Sequence, residues 1–111
     1  MSNIYEPHRE TNLKNAEHYG FEVQSNQCVE ECAELIQALN KFKRSFGAGK
    51  PPRISREEAL DNIIEEIADV EIMLEQMIHL IGIHRRDIDA IKVDKVIHTF
   101  SEIAKESCGA F

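Results

Sequence analysis

The sequence predicts an all-α protein, a bundle of three to four helices with long antiparallel members completed by oligomerisation. Three observations predict it. Apolar residues recur at helical spacing over two long stretches. Glycine and proline are scarce and tryptophan is absent, which suits helices better than a β-sandwich. The clearest break, Gly47 to Ile54, is short enough to join antiparallel neighbours. At 111 residues the chain reads as one domain, 1–111, or one protomer of an oligomer.

The elements follow in order. Residues 1–10 are expected to be irregular. A short helix is predicted from Thr11 to Tyr19, ended by Gly20. A long helix is predicted to start after Ser25 as N-cap and to stop near Gly47. It carries Cys28, Cys32, Leu35, Leu39, Phe42 and Phe46 at helical spacing. Ser55 with Glu58 three residues on is a capping-box signature for the next helix. That helix carries Leu60, Ile63, Ile67, Val70, Leu74 and Ile78, and Gly82 ends it. A last helix is expected from about Arg85 to Glu106, with Ile88, Ile91, Val96, Phe100 and Ile103 as apolar positions.

Charge and composition narrow the function. A net charge of −7 argues against a nucleic-acid-binding surface, so no nucleic-acid partner is expected. It leaves room for a nucleotide substrate, because a bound divalent cation reverses the local potential. No apolar run reaches membrane-span length and the N-terminus is not signal-like, so a cytoplasmic protein with no membrane partner is expected. Cys28, Cys32 and Cys108 read as reduced thiols. Cys28 and Cys32 lie one turn apart without a second close pair, which favours core packing over zinc.

The chemistry lies in the acids. An α-helix turns about 100° per residue. On the first long helix the apolar stripe centres near Cys28 and Leu39; Glu31 lies roughly 65° to one side and Glu34 roughly 125°. On the second the stripe centres between Ile67 and Val70; Glu66 lies roughly 70° away and Asp69 roughly 130°, in the same rotational sense. Glu30 and Glu65 point away from the stripes and read as solvated. If the helices pack antiparallel, flanks of equal sense fall on one side, so Glu31, Glu34, Glu66 and Asp69 should converge. Four close carboxylates raise one another's pKa values and repel, and a hard divalent cation relieves this. Oxygen ligands without histidine point to Mg²⁺, with Mn²⁺ as substitute. A di-iron bundle needs Glu-x-x-His, and Glu75 with His79 has the wrong spacing.

The runs Glu30-Glu31-Cys32-Ala33-Glu34 and Glu66-Ile67-Ala68-Asp69 resemble the E-E-x-x-E … E-x-x-D signature of MazG-like, all-α nucleoside triphosphate pyrophosphohydrolases. The resemblance extends through "EECAELIQALNK" and "EEIADVEIMLEQM" and covers roughly residues 20–100. The stretch between Glu34 and Glu66 is at or beyond the long end of the family's spacing, and the proline-containing loop absorbs it. The resemblance implies hydrolysis of a (deoxy)nucleoside triphosphate between its α- and β-phosphates, releasing monophosphate and pyrophosphate. It also implies a homodimer or homotetramer. Pairs of amphipathic helices bury little surface alone, which makes association physically reasonable as well.

Such chemistry needs charge neutralised on the phosphate oxygens and a water held in line. Glu31, Glu34, Glu66 and Asp69 are assigned to the metal, and Glu34 also to the attacking water. Lys41, two turns beyond Glu34, is a candidate for the departing pyrophosphate, with Lys92 and Lys95 as alternatives. Asn62, one turn before Glu66, is a candidate for sugar or phosphate. Gly47-Ala48-Gly49-Lys50 lacks the spacing and the following Ser or Thr of a phosphate loop. The histidines show no ligand spacing, and Met73 and Met77 read as core. Two other functions compete: the related phosphoribosyl-ATP pyrophosphatase of histidine synthesis, and a non-catalytic helical oligomer or adaptor whose acids only solubilise it.

Overall fold

The computed structural model describes residues 3–47, 49–50 and 53–109. A 3-10 turn, Glu6–His8, leads into α1 (Arg9–Arg44), followed by α2 (Arg56–Ile81) and α3 (Arg85–Gly109). No strand occurs among the described residues. The chain's contacts divide it into two units, one ending at Ile81 and the other beginning at Gly82.

The start of the chain corrects the expectation of an irregular segment over residues 1–10. From Tyr5 onward it is anchored. The Tyr5 hydroxyl and the Arg9 guanidinium both donate to the Glu75 carboxylate. Asn12 Nδ2 donates to the same carboxylate at 2.9 Å and to the Ile72 carbonyl at 3.2 Å. Pro7 in the first turn supplies a pre-set φ and lacks a donor that would otherwise be orphaned. Met1 and Ser2 lie outside the described residues.

Gly20 interrupts α1 as the sequence indicates, with φ 84 and ψ 169. Only glycine reaches that region without strain. The helix resumes at once, so the expected N-cap at Ser25 is corrected. Ser25 lies inside the helix and its hydroxyl donates to the Glu22 carbonyl at 3.1 Å.

The break folds the chain back. Gln76 Nε2 donates to Asn12 Oδ1 at 2.8 Å, while Gln76 Oε1 accepts from Gln24 Nε2 at 2.7 Å. An unbroken helix would separate Asn12 from Gln24 by about 18 Å. The two meet one amide only because the axis reverses between them. Residues 9–19 then run parallel to α2, with Asn12 near Gln76 and Glu17 2.8 Å from His79. All three amides are buried, and each is hydrogen-bonded, as burial demands.

Residues 21–44 run antiparallel to α2. Gln24 pairs with Gln76, and two turns further along α1 Glu31 lies beside Asp69, two turns back on α2. At the loop end Arg56 donates to the Ser45 carbonyl and stacks over the Phe46 ring. The cap at Ser55 is as expected, its hydroxyl accepting the Glu58 N–H at 3.1 Å. Of the break at residues 47–54, Ala48, Pro51 and Pro52 lie outside the described residues.

The seam between α1 and α2 departs from the predicted stripe centres. Its buried apolar residues are Ala16 and Ala38 on α1 and Ala59, Ile63 and Met73 on α2. Small Ala38 and Ala59 allow close approach there. Cys28 is half-buried, while Leu39 and Ile67 are exposed. The apolar stripes are wider than the seam, and their remainder forms an uncovered face. Cys32 and Ile36 on α1 and Leu60, Ile64 and Ile67 on α2 lie on that flank, opposite Glu34 and Asp69. Ile36 and Ile64 are 61% and 60% exposed. Part of this face is an apolar groove of about 570 Å³ lined by Phe21, Val29, Ile36, Met77 and the two thiols. Cys28 and Cys32 thus line a groove instead of packing in the seam, and burial and Cys32 push the Cys28 thiol's pKa up.

In its own unit α3 presents Ile91, Val96, Ile97 and Phe100 exposed, and His84 accepts the Asp87 N–H through its carbonyl at 3.0 Å. Among the described residues no helix is long and apolar enough to cross a membrane.

Candidate metal centre

The four acids singled out by helical phase come together. Glu31 and Glu34 of α1 and Glu66 and Asp69 of α2 each offer a carboxylate oxygen, and these oxygens all lie within 4.8 Å of one another. The antiparallel register produces this. A step of three residues back on α1 matches a step of three forward on α2, so Glu34 faces Glu66 and Glu31 faces Asp69. Oxygens around one Mg²⁺ at about 2.1 Å stand at most about 4.2 Å apart. The cluster needs only a small contraction to meet that geometry.

Electrostatics make the cluster costly in the absence of a cation. Burial raises the Glu66 pKa, the Glu34 charge and a shared hydrogen bond raise it further, and Asp69 and Glu31 add to this, giving about 7. Asp69 is also raised, by burial first and then by the charge and hydrogen bonding of Glu31. Glu31 Oε2 and Glu66 Oε2 have essentially no accessible surface and no hydrogen-bond partner. Buried carboxylate oxygens without a donor are unfavourable. Glu34 is the exposed member of the four.

Helical phase did not single out Gln27 as a partner of these acids. Its Nε2 donates to Glu31 Oε1 at 2.7 Å. The i, i+4 spacing of Gln27 and Glu31 is the signal that could have found it. Glu30 and Glu65 are exposed and outside the cluster, as their phase indicates.

The candidate substrate residues are less concentrated. Lys41 and Asn62 are half-buried, on α1 and α2 respectively. Lys92 and Lys95 are exposed on α3, in the other unit. Among the described residues no ion pair engages any of the three lysines.

The residues present fit a hard divalent cation. They supply four oxygen donors from two rigid helices, an excess of negative charge, and two orphaned oxygens. Comparison with family models, with curated proteins and with solved structures finds no match to this chain.

Proposed function

We propose that the protein is a Mg²⁺-dependent, MazG-like hydrolase that cleaves a (deoxy)nucleoside triphosphate to the monophosphate and pyrophosphate, in nucleotide-pool control or house-cleaning. One observation carries the reading: four carboxylates from two antiparallel helices meet within 4.8 Å, with two buried oxygens lacking any partner. A solubilising acidic face would spread its charges into water instead of confining them at a seam.

In this proposal Glu31, Glu34, Glu66 and Asp69 hold the metal, with Mn²⁺ as substitute. The bound cation would neutralise phosphate charge and polarise the bond to be cleaved. Glu34, the exposed carboxylate, is the group that water reaches, so it is assigned to orient the attacking water and accept its proton. Lys41 is assigned to the departing pyrophosphate and Asn62 to sugar or phosphate. Lys92 and Lys95 remain alternatives for the phosphate tail.

The uncovered apolar face supports the oligomer. A flank bearing Cys32, Ile36, Leu60, Ile64 and Ile67 is too apolar to leave in water, and a second copy of the chain offers the same face in return. Pairing there would complete a helical bundle and leave the carboxylates on the open flank.

Incubation of the protein with a nucleotide panel and Mg²⁺, with detection of monophosphate and pyrophosphate, tests the reading. Both products are expected, and only with the metal. Orthophosphate as the only product would overturn the bond assignment. Indifference to Mg²⁺ in both turnover and stability would favour an adaptor.

A further inference from the structure

We infer that Gln27 is a positioning residue for the metal centre: its amide holds one oxygen of Glu31 and thereby presents the other to the cation. This rests on the metal-dependent reading above. A carboxylate turns on a broad final torsion, so something must hold its plane in the orientation that aims an oxygen inward. Gln27 lies one turn before Glu31 on α1, and its Nε2 donates to Oε1 at 2.7 Å. The oxygen left over is Oε2, the one without accessible surface or partner. The orphaned Oε2 of Glu66 is contributed by the facing helix.

Two further points separate positioning from incidental contact. Among the described residues Glu34, Glu66 and Asp69 accept no hydrogen bond from an amide, hydroxyl or cationic side chain, so Gln27 is the cluster's one such donor. The contact is also part-buried, where water competes poorly for the donor. Mg²⁺ demands near-ideal octahedral placement, so a carboxylate held in one orientation before binding loses less freedom on binding. Outer partners of this kind are typically worth about 10–100-fold in metal affinity.

The test is calorimetric titration of Mg²⁺ into the full chain and into Gln27→Ala and Gln27→Leu, with thermal melting of each metal-free protein beside it. Leucine keeps most of the side chain's bulk and removes the amide. Both variants should bind Mg²⁺ about 10–100-fold more weakly. Their metal-free melting should match the wild type, and raising Mg²⁺ should restore their nucleotide turnover. Wild-type affinity in both variants would overturn this inference and leave the functional reading intact. So would a loss of affinity that tracks a loss of metal-free stability, since that marks a packing role. A wild-type protein that binds no divalent cation would overturn the functional reading, and this inference with it.

Discussion

Glu34 and Glu66 face each other across the α1–α2 seam, their carboxylate oxygens within 4.8 Å, and the Glu66 carboxyl is lifted from 4.5 to about 7. Burial is the largest cause, followed by the charge and hydrogen bond of Glu34. Two carboxylates this close make the cluster sensitive to protons, and under the proposed function to a divalent cation as well.

The pH dependence has a definite sign. A carboxyl with a raised folded pKa binds protons more tightly in the native state, so its contribution falls as pH rises from about 4.5 through 7. Asp69 acts in the same sense. Glu75 is shifted down: burial alone would raise it, but hydrogen bonds from Asn12 and Tyr5 and the nearby Arg9 outweigh that. Its contribution is present above the ordinary 4.5 and is lost only at lower pH. In chelator, the melting midpoint should therefore fall between pH 5 and pH 7.5, and saturating Mg²⁺ should flatten the fall. A midpoint that rises across this range in chelator would contradict the assignment.

Glu34→Gln and Asp69→Asn should each abolish pyrophosphate release without unfolding the protein. Each removes one like charge from the cluster, so the metal-free forms should melt no earlier than wild type, with a gain on the order of 1 kcal/mol at most. Circular dichroism and a pyrophosphate assay read the two effects separately. Undiminished turnover in both variants would remove the site assignment.

Glu75→Ala should destabilise the fold by about 1–3 kcal/mol in urea unfolding. It takes away the acceptor shared by Tyr5, Arg9 and Asn12, and Asn12 is buried. Amide exchange should accelerate over residues 9–19 more than around Glu31 and Asp69. Uniform acceleration along the whole chain would show that this segment has no separate anchorage.

Ile36→Glu or Ile64→Glu should convert the proposed oligomer to single chains in light scattering. Both positions lie on the uncovered flank, opposite Glu34 and Asp69. An unchanged mass in both variants would remove the proposal of a second copy on that face.

Much of the site was legible because phase on a helix is a rigid constraint. Glu31 with Glu34, and Glu66 with Asp69, stand three residues apart in the same rotational sense, and an antiparallel pair has little choice but to bring them together. The seam was harder to read. A wide apolar stripe serves both the intrachain neighbour and an uncovered face, and hydropathy does not divide it. The small residues Ala38 and Ala59, weak in any hydropathy pattern, mark where the helices touch. Gly20 was readable as a stop but not as a reversal, since the direction taken afterwards depends on Asn12, Gln24 and Gln76 meeting across long sequence separations. The anchoring of Tyr5 and Arg9 was hidden for the same reason, because Glu75 is remote in sequence.

The shared amide at Gln76 makes spacing ahead of the reversal unforgiving. One residue inserted between Asn12 and Gly20 would turn everything upstream by about 100° and push it about 1.5 Å along its axis. Asn12 would leave its partners, and Gln76 would keep only half of its bonding. The acids further along would keep their phase, so alterations ahead of Gly20 and alterations to the carboxylate cluster are free to accumulate independently.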